Sequence, residues 1–136
     1  MNWQEANKFI KELNKKQYCG YSDWQLPSIG ELYSLIDYMQ YNPALPQGHP
    51  FTNVQSLWYW SSTAYAYYMG YAWAVSMYCG DIDSNCKSDG SLYVWPVRTA
   101  SLPHTTKDNR FTDHSDGTVT DNKTCLTWTK DANMQP

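Results

Sequence analysis

Charge is scarce in this chain: Asp, Glu, Lys and Arg make up 17% of its 136 residues, with a net charge of −3. No basic run occurs, so a nucleic-acid partner held through its phosphates is not expected. No apolar stretch approaches the length of a membrane span. No signal sequence precedes the helix expected directly after Met1, so an exported form is expected to be a processed piece. Cys19, Cys79, Cys86 and Cys125 make no C-x-x-C pair, which leaves zinc-ribbon and thioredoxin-type sites without support. His49, His104 and His114 lie scattered in loops, without the spacing of a metal site or a triad. Ser61 and Ser62 sit on no G-x-S-x-G elbow. Their hydroxyls are expected to satisfy backbone groups at a strand end.

What the chain has in excess is aromatic surface, with seven Trp and twelve Tyr. The length fits one domain with a sizeable core. Most tryptophans, Trp24, Trp60 and Trp73 among them, are expected inside it. The tyrosine clusters are expected outside.

The stretch from Gly20 to Leu32 organises the rest. Gly20 is expected to end a first helix, and Pro27 holds Leu26 extended. Ser28 and Glu31 form a capping box that starts a second helix. The first helix is capped by Asn2 with Glu5, and carries an apolar stripe of Trp3, Ala6, Ile10 and Leu13, with Phe9 beside it. The second is expected to run to Tyr41–Asn42 with Ile29, Leu32, Leu35, Ile36 and Met39 inward. Residues 42–57 read as an irregular loop. Strands are expected at Trp58–Ser62, Ala72–Met77 and Leu92–Val97. Residues 99–109, with Pro103, read as a polar linker. Residues 110–129 read as a hairpin around the Asp116-Gly117 turn, closed by Leu126–Thr129.

Taken in order, these pieces carry a resemblance. The motifs are W-x-x-A at Trp3–Ala6, G-Y-x-D-W-x-L-P-x-x-x-E-L at Gly20–Leu32, W-S-S-T at Trp60–Thr63, A-W-x-V at Ala72–Val75, and V-R at Val97–Arg98. The set resembles the Lcl C-terminal domain family, bacterial surface proteins with a variant C-type lectin fold. In that family the hairpin G-T-V-x-D-x-x-T-G-L-x-W precedes the W-x-x-A helix. Here it follows the body, and Cys125 stands where the family has glycine. The resemblance implies an α+β, C-type-lectin-like fold, two helices packed on a small twisted sheet, mostly antiparallel, with long loops. A single domain spans 1–136, with body 1–98, linker 99–109 and a displaced hairpin, 110–136, that docks on its own or a neighbouring body. It also implies an extracellular or cell-surface protein.

Three sets of candidate residues follow. The even cysteine count suggests disulfides Cys79–Cys86, across a short polar loop, and Cys19–Cys125. Asp81, Asp83, Asn85 and Asp89 have the alternating oxygens of a calcium loop, without its glycine and terminal glutamate. Asp113, Ser115 and Asp121 make a similar partial match. The Glu-Pro-Asn, Gln-Pro-Asp and Trp-Asn-Asp motifs of calcium-dependent sugar-binding lectins are absent.

Tyr65, Tyr67, Tyr68 and Tyr71, joined by Tyr78, Tyr93 and Trp95, are expected to form a recognition face. Exposed Tyr offers contact area at little entropic cost. The expected role is therefore non-catalytic binding of a glycan or protein surface. The alternative is a structural subunit of a fibre or multimer completed by hairpin exchange. A third reading starts from L-P-x-x-x-E-L, which also resembles a segment of formylglycine-generating enzymes. That oxidase chemistry would require Cys79 and Cys86 as a working pair.

Overall fold

A computed structural model describes residues 1–99 and 109–136. Most of the expected linker, with Pro103 and His104, lies outside the described residues.

The chain is α+β, with more strand than helix. Helix α1 (Trp3–Lys15) begins as its sequence dictates: Asn2 Oδ1 accepts from Glu5 N at 2.8 Å, and Glu5 reaches back to Asn2 N. Its buried stripe is Ala6, Phe9, Ile10 and Leu13. The helix stops at Lys15, before Gly20, because Gln17 already turns left-handed (φ 51°). Gly20 instead closes a 3-10 turn over Tyr18–Gly20.

Helix α2 (Ile29–Tyr33) also starts from its capping box, with Ser28 Oγ accepting from Glu31 N at 3.1 Å. It ends eight residues short of the expected Tyr41. Beyond it, Asn42 N donates to Tyr78 O and Ala44 N to Met77 O, both at 2.7 Å. Residues 42–44 thus pair with the chain leaving the central strand, and these long-range bonds replace the helical ones. Leu35 stays buried, whereas Met39 is 87% exposed instead of inward.

Two antiparallel sheets follow instead of one. The first has the order β1 (Trp58–Ala64), β2 (Tyr71–Ser76), β3 (Ile82–Cys86). The second joins β4 (Val97–Arg98) to the C-terminal hairpin strands β5 (Phe111–Asp113), β6 (Thr118–Asp121) and β7 (Leu126–Thr129), in the order β4-β7-β6-β5. The expected strand at 92–97 contributes only β4 and a parallel bridge between Tyr59 and Tyr93. Residues 80–85, expected as a short polar loop, are largely strand β3.

The alternation of β1 and β2 feeds two cores. Trp60, Ala72 and Ala74 face α1, together with Trp24, Leu26, Leu92 and Val94. Tyr59, Val75 and Met77 belong to a second core with Leu32, Leu35, Trp95, Val119, Leu126 and Trp128. The small Ala72 and Ala74 leave room for the helix and for Trp60. Trp24 and Trp60 are buried as expected, while Trp73 is only half-buried, beneath Tyr65.

The hairpin packs on its own body. Trp95 Nε1 donates to Thr129 O at 2.9 Å, and the Tyr59 hydroxyl donates to Ala132 O at 2.5 Å. Asp121 is fully buried and held by both branches of the Arg110 fork, at 3.1 and 3.0 Å. Met134 joins the α1 core, against which Met1 also packs, so the two ends of the chain meet there. Cys125 holds φ at +62°, a left-handed conformation that glycine adopts without strain, which accounts for the family's preference at this position.

Neither expected disulfide forms; all four cysteines are free. Register is the reason. Cys86 pairs with Tyr71 at one end of the β2–β3 ladder, while Cys79 lies in the turn past Val75↔Ile82 at the other. Five ladder pairs separate them by roughly 13 Å or more, beyond the roughly 7 Å limit between bridged Cα atoms. Cys19 packs against Gly117, where a Cβ would sit 2.9 Å from its Sγ. Cys125 lies at the far end of β6 from Gly117, since Asp121 pairs with Leu126 and Thr118 with Thr129. Thiol reactivity is expected to differ by site. Hydrogen bonding to Ser88 lowers the Cys86 pKa, whereas burial raises that of Cys19. Iodoacetamide at neutral pH should label Cys86 first and Cys19 last, read by peptide mass spectrometry.

Candidate functional site

The tyrosine loop is the turn between β1 and β2. Its frame is hydrogen-bonded: Tyr65 N donates to Tyr71 O at 3.0 Å and Tyr71 N to Tyr68 O at 3.1 Å. Tyr65 stands edge-on to Trp73 at 5.1 Å between centroids, and Tyr68 stands edge-on to Tyr71, also at 5.1 Å. The Tyr68 ring lies over Gly70, where a Cβ would meet Cε1 at 3.0 Å. On this frame Tyr67, Tyr68 and Met69 present 88%, 61% and 90% of their surface. Tyr65 and Tyr71 are half-buried and act as the support.

A groove of about 450 Å³ adjoins the loop. It runs between the first turn of α1 (Asn2, Trp3, Gln4), Met69–Gly70 and the end of β3 (Cys86, Lys87, Ser88). Trp3 N donates to Lys87 O, and the Lys87 ammonium lies 4.4 Å from the centre of the Trp3 ring. The groove thus combines an apolar wall with amide, hydroxyl, thiol and ammonium groups. Nothing in the sequence pointed to it, because its walls come from residues 2–4 and 69–88.

The other expected members of the face separate from it. Trp95 is fully buried between Phe51, Tyr59 and Trp128 and belongs to the core. Tyr93 is half-buried against Tyr59. Tyr78 follows the opposite end of β2 from the loop, seven residues beyond Tyr71, roughly 20 Å along an extended chain. There it meets Tyr41 edge-on at 6.3 Å.

Beside that pair stand Tyr33 and Tyr38, also edge-on, with the Tyr38 hydroxyl donating to that of Tyr33. This hydrogen bond is the main reason the Tyr38 pKa is pushed up to about 12. Tyr38 also lies against Gly80, where a Cβ would meet its Cε1 at 3.3 Å, so the exposed Tyr38, Tyr41 and Tyr78 gather around residues 78–80 as a second exposed patch, with the exposed Met39 and Ile82 close by in the chain. The sequence concealed it, because Met39 was expected in the core.

The calcium candidates do not converge. Asp81, Asp83 and Asn85 are strung along β3 and its approach, spanning roughly 13 Å from first to last. A calcium ion holds its oxygens at roughly 2.3–2.6 Å. The Asp83 carboxylate accepts from Ser84 N, and that of Asp89 from Ser91 N and Oγ. Asp113 pairs with Lys130 at 2.7 Å, and Asp121 with Arg110. Among the described residues no group of three His, Cys, Asp or Glu side chains is placed to hold a metal.

The remaining candidates serve the fold. Ser61 Oγ donates to Trp73 O at 2.6 Å and accepts from Thr63 N, satisfying backbone at the strand bulge. His49 stacks on Phe51, and burial lowers its pKa. His114 shares a hydrogen bond with Thr120. The separation of Cys79 from Cys86 leaves a paired-cysteine oxidase without its pair. No described helix is long and apolar enough to cross a membrane.

No curated protein and no solved structure matches the chain. The family model of the Lcl C-terminal domain does, over residues 1–98. The match takes in α1, both capping boxes, the tyrosine loop and β4, and stops before the hairpin. The chain belongs to the Lcl C-terminal domain family.

Proposed function

We propose that this chain is a non-catalytic recognition domain of a surface protein, with a C-type-lectin-like architecture. It takes a glycan or protein surface on the tyrosine loop and the groove beside it. The observation that carries this reading is the exposure of Tyr67, Tyr68 and Met69 on a loop whose other rings are packed and hydrogen-bonded. Burying these side chains would be favourable, yet the fold holds them out on a fixed frame. Two rigid rings beside a groove offer contact area with little entropy left to lose. Family membership supports a place at the cell surface.

The test is a glycan and protein array probed with the wild type and with Tyr67→Ser/Tyr68→Ser. The double variant should keep its Tm and lose capture by at least about tenfold, as for a recognition hot spot. Capture should be the same in calcium and in chelator, because the acidic residues do not converge. Undiminished capture by the variant would overturn the assignment.

A further inference from the structure

We propose that the second patch, at the end of β2 opposite the tyrosine loop, is a docking surface for an arginine-bearing segment of a partner protein. The site is separate from the tyrosine loop and does not depend on the role of that loop. Two observations identify the occupant. The first is charge. Between Gln17 and Cys86 the chain carries no lysine or arginine, while Asp23, Glu31, Asp37, Asp81 and Asp83 fall in that span. Asp81 acts electrostatically on the Tyr38 hydroxyl, and Asp37 lies in the same turn. The nearby Arg110 reaches Ser34 O at 2.5 Å, but both branches of its fork hold Asp121, and among the described residues no lysine or arginine pairs with Asp81.

The second observation is a matching arrangement already present in this chain. Arg98 lies 3.7 Å over the Tyr21 ring while its fork holds Asp23 at 2.7 and 3.1 Å. Guanidinium is flat and weakly hydrated, so it stacks on an aromatic face and still forks onto a carboxylate. The patch offers the same two partners, tyrosine faces beside Asp81, without a resident arginine. Tyr41 is 73% and Tyr38 63% exposed, so ring surface is open to an incoming side chain. Lysine is a poorer fit, since its ammonium is compact and strongly hydrated.

The experiment is fluorescence anisotropy with labelled oligo-arginine, oligo-lysine and oligo-glutamate peptides. Wild type should bind oligo-arginine most tightly and oligo-glutamate not at all. Tyr41→Ser/Tyr78→Ser should weaken the arginine peptide by about tenfold, and Asp81→Asn by about threefold, in line with cation–π and exposed charge contacts. Tyr67→Ser/Tyr68→Ser should leave this binding unchanged, which separates failure here from failure of the tyrosine-loop reading. Should the Tyr78 change unfold the domain, Tyr41→Ser alone carries the test. Equal binding of lysine and arginine peptides, or arginine binding indifferent to the patch variants, overturns the proposal. Sedimentation showing a self-association that the patch variants dissolve also overturns it, since the occupant is then a second copy.

Discussion

Residues 1–98 alone, the part matched by the family model, are expected not to fold cooperatively. The hairpin lays Val119, Leu126 and Trp128 into the core shared with Leu32, Tyr59 and Trp95. Burying each such side chain contributes roughly 1.5–3 kcal/mol. Three together rival the whole stability of a small domain, roughly 5–15 kcal/mol. Removal also strips the acceptors of the Tyr59 hydroxyl and Trp95 Nε1, which are Ala132 O and Thr129 O. Both donors then face water, so each lost bond costs a further roughly 0.5–1.5 kcal/mol. The fragment should therefore show no sharp thermal transition in near-ultraviolet circular dichroism.

A rearranged chain, 110–136 joined to 1–98 through a short Gly-Ser link, is expected to recover the transition. Met134 and Met1 already pack on one core, so the joint spans little space. It also restores the family's order of hairpin before helix. A fragment that melts with the midpoint of the full chain would show instead that the hairpin is an appendage.

Trp128→Ala is expected to lower the unfolding free energy by roughly 3–5 kcal/mol, the range for truncating a buried large aromatic side chain. Trp128 is fully buried and edge-on to Trp95 at 5.5 Å, in a core lined from both sheets. No neighbour is free to close the space, because β6 and β7 are buried along their whole length. The contrast is Tyr67→Ser at 88% exposure, where a surface substitution shifts stability by no more than about 0.5 kcal/mol. Urea denaturation of both variants reads the two values directly. Equal losses would mean that the tyrosine loop is part of the core and that its assignment to recognition is wrong.

The features legible from the sequence were those decided within a few residues. Asn2 with Glu5 and Ser28 with Glu31 form their capping boxes because donor and acceptor lie three residues apart on one turn. The α1 stripe and the Asp116-Gly117 turn follow from helical period and from the positive φ that glycine tolerates. Tyr67 and Tyr68 were legible as exposed, because so short a loop cannot bury all its rings.

What failed depended on partners far along the chain. Helix α2 is short because Tyr78 and Met77 offer carbonyls to Asn42 and Ala44, which a local helix signal does not register. The cysteine pairs looked plausible by spacing, but strand register puts their members at opposite ends of ladders. Trp95 and Tyr78 resembled Tyr67 in composition, yet one is sealed between two sheets and the other lies at the far end of β2. The groove and the second tyrosine patch are products of folding alone. Local composition sets what each residue offers to its neighbours, and only the packing of the two sheets decides which neighbours it has.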